Sequence, residues 1–312
     1  MTNDTHVVLH KLAELDGGGA RLAVEGAAIA AGGDDTVILW RDHQRASTAQ
    51  APGAIDRLRF RGGELLAAPY VLEVPGPASS ASPAELPDLG PALLHDLPGP
   101  PSGQLLVRRA DWSADGQELL VYVEHRAPRG IGASAAAGPQ ARLLWLDRAR
   151  KVLAVPWTGR TFSINAVALG ARFAAAGGKQ LMVWDRHTRA QLATLDVHTV
   201  LIRDLAFSAD ERLLGSVAND HKVALVDTAS WKPTATWDAH DGDATGIAFH
   251  PTLPLVATTG QDGQLRVWSL DGTRRAEAAL GRPGNAVAFS PDGKQLLAAT
   301  DEHVVIFSLA AE

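Results

Sequence analysis

No cysteine occurs in this sequence. That absence removes disulfides, thiolate zinc sites and a cysteine nucleophile together. Positive charge is in deficit as well, with a formal net charge of −6 at pH 7. A general binder of phosphate backbones carries a strong basic excess, so nucleic acid is not expected as a partner. No apolar run reaches the roughly 18 residues that a membrane span requires. The opening "MTNDTHVVLHKL" has no basic segment leading into an apolar stretch, so it does not read as a secretion signal. Neither a membrane partner nor export is expected, and the chain is expected to act in the cytoplasm.

Motifs for chemistry are missing too. The glycine pairs at 32–33, 62–63 and 177–178 are not followed by the Lys-Ser/Thr of a phosphate loop, and there is no Gly-x-Ser-x-Gly elbow. The 11 histidines are scattered without the short spacing of metal ligands. His240, Asp241 and Asp243 cluster beside one turn, but no catalytic, cofactor or metal residues are assigned. The expectation is a protein without enzymatic activity and without a cofactor.

What the sequence has is a repeat. "ARLLWLD", "QLMVWD", "KVALVD", "QLRVWSL" and "HVVIFSL" end their apolar runs at Trp145, Trp184, Val226, Trp268 and Phe307, which lie 39, 42, 42 and 39 residues apart. An earlier copy, "DTVILWRD", ends on Trp40. A period near 40 with a Trp-Asp-like ending marks a ring of four-stranded units. Runs of five or six residues separated by Gly, Pro and Asp give the strands and hairpins. "SADG" at 113–116, "SADE" at 208–211 and "SPDG" at 290–293 repeat one tight turn. Repeats begin near Arg21, Ile55, Leu105, Ser163, Arg203, Ala244 and Asn285, which makes seven. The last has three strands, and the spare N-terminal run "HVVLHKL" (6–12) is expected to complete it, removing an open sheet edge. The predicted fold is all-β: one domain over 1–312, a seven-bladed propeller of antiparallel four-stranded blades.

In this pattern the chain resembles the WD-repeat β-propellers, with degenerate repeats. Blade six carries the match: His240, Thr258, Asp262 and Trp268 stand where that family places a hydrogen-bonded tetrad. Blade five keeps His198, Ser216 and Asp220 but has Val226 for Trp. Blade one keeps Asp34 and Trp40 but has Ala30 at the hydroxyl position. The resemblance implies a non-catalytic protein-interaction scaffold or regulatory subunit, a monomeric propeller meeting protein partners. The alternative is a propeller enzyme or small-ligand binder, lactonase-like, with a composite site on the central axis. Arginine (23) far outnumbers lysine (6), a bias that suggests a GC-rich bacterial source.

Two insertions break the period. Residues 75–104 are rich in Pro, Gly, Ser and Ala, and residues 126–141 extend a hairpin of blade three. In "AIDRLRFRGG", Arg57, Arg59 and Arg61 fall on one face of a strand. Either Asp56, Glu64 and Glu73 neutralise them, or they form an anion or partner site that Arg108, Arg109 and Arg203 join.

Overall fold

The computed structural model describes residues 7–33, 35–51, 55–61, 64–73, 104–126, 141–160 and 163–311. All regular structure among them is β-strand, and none contains a helix long and apolar enough to cross a membrane. β1 (Val7–Asp16) is followed by the first sheet: β2 (Arg21–Glu25), β3 (Ala28–Gly33), β4 (Thr36–Arg41) and β5 (Gln44–Gln50). The second holds β6 (Arg57–Arg61), β7 (Glu64–Ala68) and β8 (Tyr70–Glu73). The third holds β9 (Gln104–Trp112), β10 (Glu118–Arg126), β11 (Ala141–Asp147) and β12 (Val152–Gly159). The fourth holds β13 (Ile164–Leu169), β14 (Phe173–Gly178), β15 (Leu181–Asp185) and β16 (Gln191–Leu195). The fifth holds β17 (Ile202–Phe207), β18 (Leu213–Ala218), β19 (Lys222–Asp227) and β20 (Lys232–Asp238). The sixth holds β21 (Ala244–Phe249), β22 (Leu255–Gly260), β23 (Gln264–Ser269) and β24 (Arg274–Ala279). The seventh joins β25 (Ala286–Phe289), β26 (Gln295–Ala299) and β27 (His303–Ala311) to β1, in the order β1-β27-β26-β25.

Within each sheet the pairs are antiparallel. β1 runs against β27 from Val7↔Ala311 to Asp16↔His303. The first strands β2, β6, β9, β13, β17, β21 and β25 lie side by side in that order, and β25 also lies against β2. Burial explains the composition of each strand. The second strands are largely buried, as in β22, where all six residues are buried and Thr258 and Thr259 follow an apolar run. The outermost strand of the same sheet, β24, has no buried residue and carries Arg274, Arg275 and Glu277.

Small residues let the sheets close on one another. A Cβ on Gly177 would sit 2.6 Å from the Ile202 side chain of the next sheet, so β14 admits glycine there for close approach. The repeated tight turn is held by its own side chains. Ser290 Oγ donates to Asp292 Oδ1 (2.6 Å) and accepts from Gln295 N (2.9 Å), and Gly293 takes φ +74°. The same bonds recur from Ser113 to Asp115 (2.5 Å) and from Ser208 to Asp210 (2.7 Å). In the last of these Glu211 occupies the φ > 0 position that glycine would take (φ +52°). Its carboxylate accepts the N–H groups of Ala171 and Arg172 in the neighbouring sheet, which fixes a strained backbone from outside. A register shift sits at or beside the repeat-ending residue in several sheets: between Leu39 and Trp40, Val183 and Trp184, Leu225 and Val226, and Val267 and Trp268. The repeat therefore marks a bulge as well as a core side chain.

Candidate functional site

In the sixth sheet four side chains from four successive segments meet. Trp268 Nε1 on β23 donates to Thr258 Oγ1 on β22 (2.9 Å), and Thr258 Oγ1 lies 2.9 Å from His240 Nε2. His240 Nδ1 lies 2.9 Å from Asp262 Oδ1 in the following turn. One set of proton positions satisfies the chain: indole N–H to hydroxyl, hydroxyl O–H to Nε2, and Nδ1–H to carboxylate. Asp262 also accepts the N–H groups of Asp241 (3.1 Å) and Gln264 (3.1 Å), which locks the inter-sheet loop to the hairpin. The fifth sheet repeats this with His198 Nε2 2.8 Å from Ser216 Oγ and His198 Nδ1 2.9 Å from Asp220 Oδ1. Val226 stands at the indole position there and is fully buried, so the core is filled without the fourth polar member.

Burial pushes both His198 and His240 below the ordinary imidazole range, against the pull of Asp220 and Asp262. Burial acts to raise the two aspartates, but the N–H groups of Thr199 and Asp241 and the facing imidazoles outweigh it, and both titrate below their ordinary value. With both ring nitrogens of His240 engaged inside the protein, Asp241 and Asp243 have no imidazole lone pair to share with a metal. A fifth member went unread in the sequence. Arg266 is buried, donates from Nη1 to Asp262 Oδ2 and to Ala239 O (both 2.7 Å), and donates from Nε to Glu277 (2.9 Å). Its signal was available: a charge in "QLRVWSL" where "KVALVD" has Ala224 and "QLMVWD" has Met182.

The first sheet departs from the sequence reading. Trp40 pairs with Ile29 and Ile38 with Ala31, as Trp268 pairs with Val256 and Arg266 with Thr258. Hairpin register therefore places Ala31, not Ala30, at the hydroxyl position. Trp40 packs among Leu15, Ile29, Ala31 and Leu297 as an apolar side chain. Asp34 lies outside the described residues, as do nearly all of the insertions at 75–104 and 126–141. Trp231 sits in the turn before β20, and its ring meets Phe173 of the fourth sheet edge-on at 5.0 Å.

The arginine strand is β6, which lies between β2 and β9. Arg57 Nη2 donates to Asp204 Oδ1 on β17 (2.8 Å), and its Nε lies 3.8 Å from Asp111 on β9. Arg59 reaches the same Asp111 at 3.6 Å. Arg61 lies beside the Gly116 turn of the third sheet. The acids that meet Arg57 and Arg59 are thus Asp111 and Asp204, while Asp56 turns to Arg21 (2.7 Å) and Arg109 (3.8 Å). The side chains of Glu64 and Glu73 lie outside the described ones. Of the other arginines named with the strand, Arg108 pairs with Glu124 (2.8 Å).

These aspartates also tie sheet to sheet. Asp56 accepts Ala110 N (2.7 Å), Asp111 accepts Leu169 N (2.9 Å) and Asp204 accepts Ile247 N (3.1 Å), each N–H belonging to the next first strand. Burial drives Asp111 above the ordinary carboxyl range in spite of Arg59, Arg57 and the Leu169 N–H. Burial acts to lower Arg57, but Asp111, Asp204 and Asp56 more than reverse it and raise its pKa.

Two stretches, 231–269 and 285–308, match the family model described as "WD domain, G-beta repeat". They run from β20 of the fifth sheet through β23 of the sixth, and from β25 into β27 of the seventh. The chain is similar to a p21-activated protein kinase-interacting protein 1-like of Gallus gallus, 27% identical over 165 residues, covering 49% of this chain and 44% of the relative. It is similar to nuclear distribution protein PAC1 of Arthroderma benhamiae, 29% identical over 184 residues, covering 47% and 40%. A shorter match, 34% identical over 97 residues, is to Pre-mRNA-processing factor 19 homolog 2 of Arabidopsis thaliana and covers 31% and 18%. The chain spans less than half the length of these relatives. All three are eukaryotic, and they lend no support to the bacterial source suggested by the arginine bias.

Proposed function

We propose that the seven sheets are the blades of one closed propeller extending over the chain, and that this ring is a non-catalytic scaffold presenting loops to protein partners. The order of the first strands, with β25 returning to β2, supports closure, as does the pairing of β1 with β27. The scaffold reading rests mainly on where the reactive side chains go. His198 and His240 are engaged within single blades, His250 bonds to the Gly293 carbonyl of the next blade, and the aspartates of the first strands hold one blade to the next. The relatives' names point the same way, since a kinase-interacting protein, a nuclear distribution protein and a pre-mRNA-processing factor share the repeat but no stated reaction.

The second and third blades, whose sequences carry the insertions at 75–104 and 126–141, are proposed as the partner-binding sector. Affinity capture from the native cell, comparing the full chain with one in which 75–104 is replaced by a short Gly/Ser linker, tests this. The shortened chain should fold and lose partners. Equal capture by both would place binding elsewhere. Metal-dependent turnover of a lactone or ester, abolished by His240→Ala, would overturn the scaffold reading in favour of an enzyme.

A further inference from the structure

One end of the axis between the first strands is a cavity, and its charge does not balance. Arg21, Arg57, Arg109 and Arg203 line it against only Asp56 and Asp204. Adding the next pair inward, Arg59 and Asp111, leaves the same surplus of two positive charges. The surplus has a location. Arg203, on β17, is exposed and makes no hydrogen bond or ion pair among the described residues. Arg21, Arg57 and Arg109 each lie within ion-pair distance of an aspartate. Arg21 Nε is buried without a hydrogen-bond partner, and the Asn165 side chain in the same lining makes no hydrogen bond among the described residues.

The geometry points to a binding site for a phosphate dianion at this axial mouth, held by Arg203, Arg109 and Arg21 with Asn165 as a neutral donor. An arginine fork matches the oxygen spacing of phosphate and donates two parallel bonds to it. A dianion cancels a surplus of two, whereas a carboxylate leaves one charge over. Leu22, Leu58, Val167, Ile247 and Val287 also border the space, with their side chains packed into the cores between the sheets. The space is about 80 Å³. A single water needs about 10–15 Å³ on this measure, so the cavity suits a group of a few heavy atoms and is too small for a nucleotide. Burial and the nearby Arg21, Arg203 and Arg108 hold Arg109 below its ordinary range in spite of Asp56, a like-charge repulsion that a bound dianion relieves. The inference does not depend on the scaffold reading, since a phosphate site serves a free ion or a phosphoryl group carried on another molecule equally.

The test is calorimetric titration of the full chain with inorganic phosphate, with N-acetylphosphoserine amide and with acetate, at constant ionic strength. Phosphate should bind more tightly than acetate. Binding of the phosphoserine compound as well would show that a phosphoryl group on a larger molecule enters the site, and its failure alongside phosphate binding would restrict the site to the free ion. Arg203→Gln should weaken phosphate binding by about tenfold or more, the loss expected for one charge-assisted contact. The same variant should melt like the parent in phosphate-free buffer, because Arg203 has no hydrogen bond or ion pair among the described residues. Arg203→Lys keeps the charge without the fork and should fall between the two. Phosphate binding no tighter than acetate, or undiminished in Arg203→Gln, overturns the site.

Discussion

Trp268 is the side chain on which the repeat, the core and the hydrogen-bonded network converge, so its removal is the most telling perturbation. It is 6% exposed and packs with Val217, Val223, Ala244, Ile247 and Val256, and with the Trp237 ring at 5.9 Å. Trp268→Ala leaves a cavity in a lining drawn from the fifth and sixth sheets, and such truncations cost about 3–5 kcal/mol. It also removes the donor to Thr258, whose oxygen is then buried with one fewer partner. Trp268→Phe separates the two effects. It keeps most of the ring and loses the N–H, so it should cost about 1–2 kcal/mol, the penalty of one unsatisfied buried group. Urea unfolding followed by circular dichroism measures both, with the midpoint shift interpreted only if the slope is unchanged. Leu192→Ala, at a 42% exposed site on β16, is the control and should stay within about 0.5 kcal/mol. A Trp268→Ala cost no greater than the control's would refute the packing argument. A Trp268→Phe cost equal to that of Ala would refute the division between ring and hydrogen bond.

Other consequences are equally direct. Arg266→Met removes the cation from buried Asp262 and should cost about 3–5 kcal/mol, the usual result of breaking a buried pair from one side; a melting temperature equal to the parent's would show that Arg266 is dispensable. Deleting residues 1–16 strips β1 from β27 and exposes a long sheet edge, so the product should aggregate in a concentration-dependent way and lose its cooperative melt; an unchanged melt would refute closure by this strand. Acid should destabilise the fold in two stages. His198 and His240 have lowered folded pKa values, so the unfolded chain takes up protons first, and stability is complete above about pH 6.5 and declines below it. Asp220 and Asp262 are also lowered, so their contribution is lost as pH falls below about 4. Melting temperatures measured from pH 8 to 3 should fall in that order, and a rise on going from pH 7 to 5 would contradict the neutral-imidazole network.

Much of the architecture is legible in the sequence because its determinants are local. The turns at 113–116, 208–211 and 290–293 are held by bonds spanning two to five residues, and serine and aspartate at fixed spacing announce them. The apolar bias of second strands such as β22 follows from burial on both faces. In the sixth sheet the donor and acceptor types were complete enough for His240, Thr258, Asp262 and Trp268 to be grouped, and the structure brings these four together. Ala30 was misplaced by one residue because hairpin register, which exchanges the two faces of a strand, is set by pairing rather than by composition.

The axial charges belong to the tertiary structure alone. Arg57 and Asp204 are 147 residues apart, and Asp111 reaches Leu169 N across 58. No periodicity in one strand specifies which carboxylate another strand will bring to it. The sequence by itself determined the repeat, its turns and the residue types of the tetrad, since these depend on neighbours within a hairpin. Only the tertiary structure decided that Arg57 and Arg59 meet aspartates of β9 and β17, that Arg266 joins the tetrad and that Arg203 has no hydrogen bond or ion pair among the described residues. The reason is physical: ion pairing depends on distance in space, and that distance is fixed only when all the first strands are set side by side.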